Sequence, residues 1–399
     1  MTPSYEEMSE DQKLAVDTIT QDPGPFFLTG PAGTGKSYVI SYLRDQFPTC
    51  AVTATTGMAA QLIQGRTLHS FAMIIPRKGV IRSEKANQRM RNTDLLVVDE
   101  ASMMNGLLLT ELYERIRQAQ AHPKVVLVGD LLQLPPVEGE MLCECDEWEQ
   151  FTELRLKENH RQHEGEFIEV LHKIRRYVID DQVQEFVKSR TVGDLPDDCT
   201  HLMSRKNAVQ SRNLQKLREL RGKPRTYPWS VNVVQKDKAD KIKYSNVRFP
   251  DELQVKSGAR IVLLTNHPEG WWVNGSTGEV VDVLPEYVTV RLDNGQHYDV
   301  EPAKECIYDG DGNVMAEITQ IPMLLAWALT IHKSQGMTLD KVGVDMRNHF
   351  AAGMTYVALS RCREAEGLFL TGNLGKLVPD PRIVKWAKKK RAQMEADPS

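Results

Sequence analysis

The sequence lacks a strong excess of charge of either sign. Its 50 lysine and arginine residues are offset by 54 aspartate and glutamate residues, which leaves a formal net charge of −4 over 399 residues. This balance excludes a chain that attracts polyanions through its overall field. Any contact with nucleic acid must therefore come from a local groove of basic and aromatic side chains. The hydrophobic content of 41% is ordinary for a globular protein, and the length predicts two or three domains.

Cysteine is sparse, and long apolar runs are missing. Among the six cysteines only Cys143 and Cys145 lie close together, and no second pair completes a zinc-binding spacing. We therefore expect reduced thiols and no thiolate metal site. The longest apolar run, at 321–331, is too short to cross a bilayer, and the acidic segment MTPSYEEMSEDQK does not resemble a signal peptide. These absences predict a cytoplasmic protein.

Short apolar segments alternate with helical periodicity in the first part of the chain. Four segments are continuously apolar, as buried parallel strands are: Phe26–Thr29, Cys50–Thr53, Leu95–Val98 and Val125–Val128. Stretches with apolar residues at steps of three and four separate them. The order of strand, loop, helix and strand predicts βαβ units and a doubly wound α/β fold.

Changes in residue composition and periodicity along the chain predict its domain organisation. A basic, poorly periodic insert at about 72–92 interrupts the first α/β lobe, and short strands separated by Gly-containing turns interrupt the second. We expect a first lobe at 1–152, a second lobe in two segments at 153–252 and 321–379, a β-barrel module at 253–320 inserted in it, and a basic tail at 380–399.

The strongest motif is a phosphate-binding loop. It matches the pattern G-x-x-x-x-G-K-[ST] in full and lies between the first predicted strand and a helix; its residues are Gly30, Pro31, Ala32, Gly33, Thr34, Gly35, Lys36 and Ser37. Glycines allow backbone N–H groups to converge on phosphate oxygens at the start of a helix. Lys36 is predicted to reach the β- and γ-phosphates, and Ser37 to bind Mg²⁺.

Two further predicted strands deliver polar side chains to the same sheet edge. Asp99 and Glu100 end an apolar strand, which favours Asp99 as a Mg²⁺ ligand and Glu100 as the general base that polarises the attacking water. In VGDLLQLPPV, Gln133 follows the next strand and is predicted to sense the γ-phosphate. Together with the phosphate loop, these residues predict an ATPase.

The far half of the chain distinguishes between classes of phosphate-loop enzyme. It contains three polar clusters, ENHRQ at 158–162, TIHKSQG at 330–336 and VALSRCR at 357–363, each with a basic residue available to a nucleotide or a strand. One alternative is a small-molecule phosphotransferase. In an enzyme of that class, these clusters and the β module would have no function. A switch that binds nucleic acid and ATP without unwinding is a second alternative, which a forked-duplex assay distinguishes from a motor.

The ordered set of motifs resembles the helicases of superfamily one, subgroup B. The motifs are LTGPAGTGKS, VTATTGMAA, GRTLHSF, LLVVDEASMM, VLVGDLLQLPPV, LKENHRQ, ALTIHKSQGMTLDKV and YVALSRCR. More narrowly they resemble the PIF (petite integration frequency) family and its RecD-like and phage Dda relatives. The resemblance runs from about Ser9 to Gly372. It implies two RecA-like lobes, a wedge or pin in the insert at 72–92, and an SH3-like fold for the inserted β module.

The resemblance also assigns roles to single residues. It implies that Gln12 reads adenine, that Arg161 and Arg361 are arginine fingers, and that Gly336 lines the nucleotide cleft. Segments matching the DNA contacts of the family contain Thr55, Thr56, Gly57, His69, Phe71, Thr330, His332 and Lys333. Phe71 could stack on a base, although a phenylalanine taken by itself belongs more often to the core.

These features together predict an ATP-dependent DNA helicase. We expect ATP and Mg²⁺ as cofactors, and single-stranded DNA and forked or tailed duplex DNA as partners, acted on by a monomeric motor. By resemblance, the expected direction of travel is 5′ to 3′. The insert at 72–92 matches no sharp pattern, so no strand-separating residue is assigned.

Overall fold

The computed structural model describes residues 3–55, 60, 63, 65–75, 78–136, 138–160, 165–242, 244, 247, 249–308, 314–348, 352–372 and 380–386. The chain forms two compact units. The first consists of Met1–Val178, Ala351–Tyr356 and Leu377–Ser399, and the second of Ile179–Phe350 and Val357–Lys376. Within the described ranges, no helix is both long enough and apolar enough to cross a membrane.

A six-stranded parallel sheet forms the centre of the first unit. Its strands are β1 (Phe26–Thr29), β2 (Cys50–Ala54), β3 (Arg66–Thr67), β6 (Leu95–Asp99), β7 (Lys124–Gly129) and β8 (Thr152–Arg155). Their order is β3-β2-β6-β7-β1-β8, and every pairing is parallel. All four strands predicted from apolar runs are confirmed. A two-stranded antiparallel hairpin, β4 (Ile74–Ile75) with β5 (Gly79–Val80), lies in the predicted insert.

Helices cover both faces of this sheet. They are α1 (Glu10–Gln21), α2 (Lys36–Gln46), α3 (Leu68–Ala72), α4 (Glu84–Arg91), α5 (Gly106–Ala119) and α6 (Gly165–Arg175). Successive side chains of a strand point to opposite faces. Phe26 and Leu28 accordingly pack with α1 and α2 in one apolar cluster, whereas Phe27 packs with α3, α4 and α5 in another. The doubly wound α/β prediction is thereby confirmed for this lobe.

The insert at 72–92 is anchored by one buried guanidinium. Arg115 of α5 is 0% exposed and donates hydrogen bonds to the Ala72 carbonyl oxygen at 2.8 Å, to the Asn87 side-chain oxygen at 2.7 Å and to the Ile81 carbonyl oxygen. A buried charge is stable only when its donors are satisfied. Arg115 therefore fixes the hairpin and α4 to the body of the first unit.

The boundary predicted at residue 152 is wrong, because the first unit extends to Val178. Strand β8 pairs in parallel with β1, and α6 belongs to the same unit. The predicted separate tail at 380–399 is also corrected where it is described. Ile383 is 4% exposed in the core of the first unit, and the Trp386 ring lies 6.5 Å from that of Trp148.

The second unit contains a four-stranded parallel sheet of order β20-β9-β21-β22. Its elements are β9 (Thr200–Met203), β20 (Ala328–Thr330), β21 (Val342–Asp345) and β22 (Leu368–Thr371), with helices α7 (Asp181–Arg190) and α8 (Lys206–Glu219). Strands β9 and β20 are neighbours although the whole β module separates them in sequence. The module is therefore inserted in the second lobe, as predicted from the sequence.

The β module is larger than the predicted range of 253–320. Its strands are β10 (Arg225–Pro228), β11 (Ser230–Val233), β12 (Glu252–Val255), β13 (Arg260–Leu263), β14 (Thr277–Val283), β15 (Val288–Leu292), β16 (His297–Val300), β17 (Ala303–Tyr308), β18 (Val314–Gln320) and β19 (Met323–Leu325). They form sheets of order β16-β15-β14-β13-β19, β11-β18-β17 and β10-β12. The module thus begins at β10 and ends at β19. Its assignment as SH3-like stays a prediction.

One short helix, α9 (Met354–Leu359), belongs to both units. Its residues up to Tyr356 are part of the first unit, and its residues from Val357 to Leu359 are part of the second. The sequence predicted that 321–379 would lie wholly in the second lobe, and the structure corrects this.

Candidate functional site

The phosphate loop connects β1 to α2, as its sequence pattern predicts. Gly35 is the residue immediately before α2 and has φ of 76°, a left-handed conformation that favours glycine. A Cβ at Gly35 would also overlap the Gln12 side-chain amide. Both constraints require glycine at this position. Because glycine has no Cβ, the backbone at the start of α2 can approach a ligand closely.

Lys36 folds back over the loop that precedes it. Its Nζ donates hydrogen bonds to the carbonyl oxygens of Gly30 and Pro31, both at 2.8 Å. The Thr34 hydroxyl donates to the same Pro31 oxygen at 3.0 Å. These bonds hold the loop in a curled shape with the ammonium group at its centre.

Two carboxylates end the neighbouring strand β6. The Glu100 N–H donates to Asp99 Oδ1 at 2.8 Å, and Glu100 has a φ of 51° that turns the chain sharply. Burial and then the charge of Glu100 raise the pKa of Asp99, against the opposing effect of Lys36. Two adjacent carboxylates repel one another, and a cation beside them relieves that repulsion.

The donor set at this edge fits Mg²⁺. Mg²⁺ is usually held by one or two protein oxygens together with substrate phosphates rather than by an all-protein cage. Asp99 offers a carboxylate and Ser37 a hydroxyl at the start of α2. Among the residues that the structure describes, no cluster of three or more His, Cys, Asp or Glu side chains could hold a metal.

Gln133 lies in a turn that follows β7. It is 7% exposed, and its N–H donates to the Asp130 carbonyl oxygen at 2.9 Å. Asp130 is itself buried and receives two hydrogen bonds from Arg175, at 2.9 Å and 2.7 Å. Burial alone would raise the pKa of Asp130, but the charge and hydrogen bonds of Arg175 outweigh it and lower that pKa. Arg175 belongs to no sequence motif and was not predicted as a site residue, although its position four residues after Leu171 places it beside the apolar face of α6.

Gln12 lies against the phosphate loop, and both the oxygen and the nitrogen of its side-chain amide form hydrogen bonds. Its Oε1 accepts the Ser9 N–H at 3.1 Å, and its Nε2 donates to the Thr34 carbonyl oxygen at 3.1 Å. The ENHRQ motif reaches the same loop, because the His160 N–H donates to the Gly33 carbonyl oxygen at 2.8 Å. Arg161 lies outside the described residues. The adenine-reading role of Gln12 stays a prediction.

The predicted DNA contacts of the first unit have different outcomes. The Thr55 hydroxyl donates to the Glu100 carbonyl oxygen at 3.0 Å, which places this contact beside the paired carboxylates. Thr56 and Gly57 lie outside the described residues. Burial lowers the pKa of His69, which favours its neutral form. Phe71 is 5% exposed within the apolar core, so its assignment as a base-stacking residue is corrected.

Of the predicted DNA contacts of the second unit, Thr330 ends β20, and His332 and Lys333 lie in the turn that follows it. The Thr330 hydroxyl accepts the Lys333 N–H at 3.1 Å. Burial and the charge of Lys206 lower the pKa of Lys333, because both disfavour its charged ammonium form. Lys333 lines a cavity of about 670 Å³ between α8 and the β12 and β20 strands. Asp251 and Glu252 line the same cavity, so its lining carries charges of both signs.

Gly336 and Arg361 both lie in the second unit. Gly336 has φ of 75° and is exposed. Arg361 is 2% exposed, and its guanidinium donates to the Val357 carbonyl oxygen and to the Ser360 hydroxyl, both at 2.9 Å. The roles of Gly336 in lining the nucleotide cleft and of Arg361 as an arginine finger stay predictions.

The sequence is similar to those of known helicases. A family model described as AAA domain matches residues 7–192. The chain is 33% identical to the ATP-dependent DNA helicase Pif1 of Bdellovibrio bacteriovorus over 406 residues, which cover 96% of this chain and 92% of that protein. It is 31% identical to the ATP-dependent DNA helicase PIF1 of Xenopus laevis over 96% of this chain, but spans 63% of that longer protein.

Solved structures give the same result. The Pif1 helicase of Candida albicans has a TM-score of 0.77 and 31% identity, covering 96% of this chain and 99% of that one. Pif1 of Bacteroides sp in complex with ADP-AlF4 has a TM-score of 0.83 and 27% identity over 96% and 97% of the two chains. Bacteroides Pif1 bound to ssDNA has a TM-score of 0.69 and 27% identity over 97% of each.

Proposed function

This chain belongs to the Pif1 family of ATP-dependent DNA helicases, and on that premise we propose that it travels 5′ to 3′ along single-stranded DNA. It is an ATP-dependent DNA helicase, and ATP hydrolysis at the phosphate loop drives strand separation. We further propose that Mg²⁺ accompanies the nucleotide and that one copy of the chain suffices as a motor.

One observation supports this function above all others. Three neighbouring strands of one parallel sheet, β6, β7 and β1, end in the three elements that ATP hydrolysis needs. Strand β1 leads to the Lys36 loop, β6 to the paired carboxylates and β7 to the turn with Gln133. Ligands bind at the carboxyl ends of strands in open α/β sheets. The nucleotide site is thus built at one edge by local sequence.

The proposed chemistry assigns one task to each side chain. Lys36 binds the β- and γ-phosphates, Ser37 and Asp99 hold Mg²⁺, and Glu100 accepts a proton from the attacking water. When bound, Mg²⁺ neutralises charge on the phosphate oxygens. Gln133 contacts the γ-phosphate, and Arg161 and Arg361 stabilise charge in the transition state.

Thr55 offers a direct link between DNA and hydrolysis. Its hydroxyl is bonded to the Glu100 carbonyl oxygen, so a strand that contacts the segment beginning at Thr55 acts on the residue that activates water. A shift of this turn changes the direction in which the Glu100 carboxylate points. We propose that DNA stimulates ATP hydrolysis through this contact.

A tailed-duplex assay tests the direction of travel. The helicase is expected to unwind a duplex with a 5′ single-stranded tail in an ATP-dependent reaction and to leave the 3′-tailed duplex of the same sequence paired. Preference for the 3′ tail would overturn the direction. ATP hydrolysis stimulated by single-stranded DNA with no unwinding of either substrate would favour a nucleic-acid-binding switch.

Lys333→Ala tests the strand contact in the second unit. We expect weaker binding to single-stranded DNA of any sequence, and a slope of log affinity against log salt that is shallower by about 0.7–1, because one phosphate contact is lost. Affinity is measured by fluorescence anisotropy across a salt series. Lys304→Ala, an exposed lysine of the β module, is the matched control. An unchanged slope for Lys333→Ala would remove Lys333 from the groove.

A further inference from the structure

A buried hydroxyl supports the phosphate loop within the first unit. Tyr356 accepts the Ala32 N–H at 2.8 Å, and the two residues are 324 positions apart in the chain. Tyr356 is 2% exposed and Ala32 6% exposed. A buried N–H that loses its partner is destabilised, because no water replaces it. The hydroxyl therefore fixes the path of the loop backbone at Ala32.

A buried ion pair supports the turn with Gln133 in a similar way. The guanidinium of Arg175 in α6 donates one hydrogen bond to each oxygen of the Asp130 carboxylate. Asp130 Oδ1 also accepts the Leu132 N–H at 3.1 Å, and Oδ2 lies 3.4 Å from the Gln133 side-chain nitrogen. A bidentate ion pair fixes the orientation of the carboxylate as well as its distance from the guanidinium. Arg175 therefore sets the turn that presents Gln133.

The two supports are brought together by the segment that enters α9. Gly353 has φ of 72°, and a Cβ there would overlap the Gln133 carbonyl oxygen. Burial would lower the pKa of Arg175, but Asp130 and, to a smaller extent, Tyr356 raise it, so the tyrosine lies within electrostatic reach of the pair. Gly353 and Tyr356, which are buried, and Arg175, which is half-buried, thus form one assembly against the phosphate loop and the Gln133 turn.

We propose that Tyr356 and Arg175 are positioning residues for ATP hydrolysis, with Tyr356 fixing the phosphate loop through Ala32 and Arg175 fixing Gln133 through Asp130. The inference rests on the proposed function, in which the loop binds phosphates and Gln133 meets the γ-phosphate. The two residues therefore have separable effects. Tyr356 governs the binding of any nucleotide, whereas Arg175 governs the recognition and cleavage of the γ-phosphate.

Tyr356→Phe removes the hydroxyl and keeps the ring. We expect the dissociation constants for ADP and for a non-hydrolysable ATP analogue to rise together, by roughly 5- to 100-fold, the factor for one buried donor left unpaired. Tyr113→Phe, at a half-buried tyrosine of α5, is the matched control and is expected to bind both nucleotides normally. Tyr356→Phe with normal affinity for ADP would overturn the role of Tyr356.

Arg175→Met removes the bidentate ion pair with Asp130. We expect kcat to fall by about 10²-fold, as a small misplacement of a positioned group does. ADP affinity is expected to stay normal, while the preference for the ATP analogue over ADP is lost. Arg175→Lys should recover part of kcat. Arg176→Met, at the exposed neighbouring arginine, is the control.

Arg175→Met leaves Asp130 charged and alone in the interior, which can prevent folding. The double variant Arg175→Met/Asp130→Leu removes both charges and is expected to show the same low kcat with normal ADP binding. Normal kcat in the folded variant, or a parallel loss of affinity for ADP and the ATP analogue, would overturn the role of Arg175. A wild-type protein without DNA-stimulated ATP hydrolysis would instead refute the proposed function.

Discussion

Lys36→Ala is expected to abolish DNA-stimulated ATP hydrolysis, lowering kcat by at least about 10²–10³-fold, the loss typical of one removed electrostatic contact to a transition state. The ammonium group lies at the centre of the curled loop, bonded to the carbonyl oxygens of Gly30 and Pro31. Phosphate oxygens are stronger acceptors for a cation than neutral carbonyls, so the group is poised to transfer its hydrogen bonds to nucleotide. Nucleotide affinity should fall with turnover.

The control for this variant is Lys13→Ala. Lys13 lies on α1 in the same unit and forms a surface ion pair with Glu10 at 3.2 Å. Exposed pairs of this kind contribute little to stability, so the control should fold and hydrolyse ATP normally. ATP turnover is measured with and without single-stranded DNA, and thermal melting verifies the fold. Near-normal turnover in folded Lys36→Ala would refute the assignment of this loop as the nucleotide site.

Glu100→Gln is expected to stop turnover while leaving nucleotide and DNA bound. The amide keeps the size of the carboxylate but cannot accept the proton of the attacking water. Loss of a general base lowers the rate by about 10²–10⁴-fold. Removing the charge of Glu100 also relieves one cause of the raised pKa of Asp99, so Asp99 should remain a competent Mg²⁺ ligand. The variant should therefore bind ATP at least as tightly as the wild type.

The contrast between the two variants locates the chemical step. Lys36→Ala should lose both binding and turnover, whereas Glu100→Gln should lose turnover alone, measured with a fluorescent ATP analogue and in single-turnover hydrolysis. Glu114→Gln, at an exposed glutamate of α5 paired with Arg117, controls for the substitution itself. A kcat for Glu100→Gln within a few-fold of the wild type would mean that another group activates water.

Sequence reasoning succeeded where chemistry depends on contiguous residues. The phosphate loop, the paired carboxylates and Gln133 each follow a strand directly, so strand-end position alone predicts that they meet at one sheet edge. The predicted strands were continuous apolar runs because both faces of this sheet are covered by helices. Buried parallel strands leave a strong pattern, and the first lobe was predictable for that reason.

Sequence reasoning failed where burial or partnership is set by distant parts of the chain. Strand β8 (TELR) is an edge strand with exposed positions, so it has no apolar run and the boundary was drawn through it. For Phe71 the sequence left open both a core position and a base-stacking position, and only the apolar cluster around it decides for the core. The bond between Tyr356 and Ala32 spans 324 positions and leaves no local pattern.

The composite make-up of the first unit has a consequence for biosynthesis. Its central sheet is complete once β8 has been translated, but Tyr356 and Ile383, which contact that unit's interior, are added much later. Domains generally fold as they leave the ribosome, N-terminal first. The residues that support the phosphate loop at Ala32 and that complete the apolar core at Ile383 are therefore synthesised after most of the second lobe. We expect a chain that ends before Tyr356 to lack the hydrogen bond at Ala32 and therefore to bind nucleotide more weakly than the full chain.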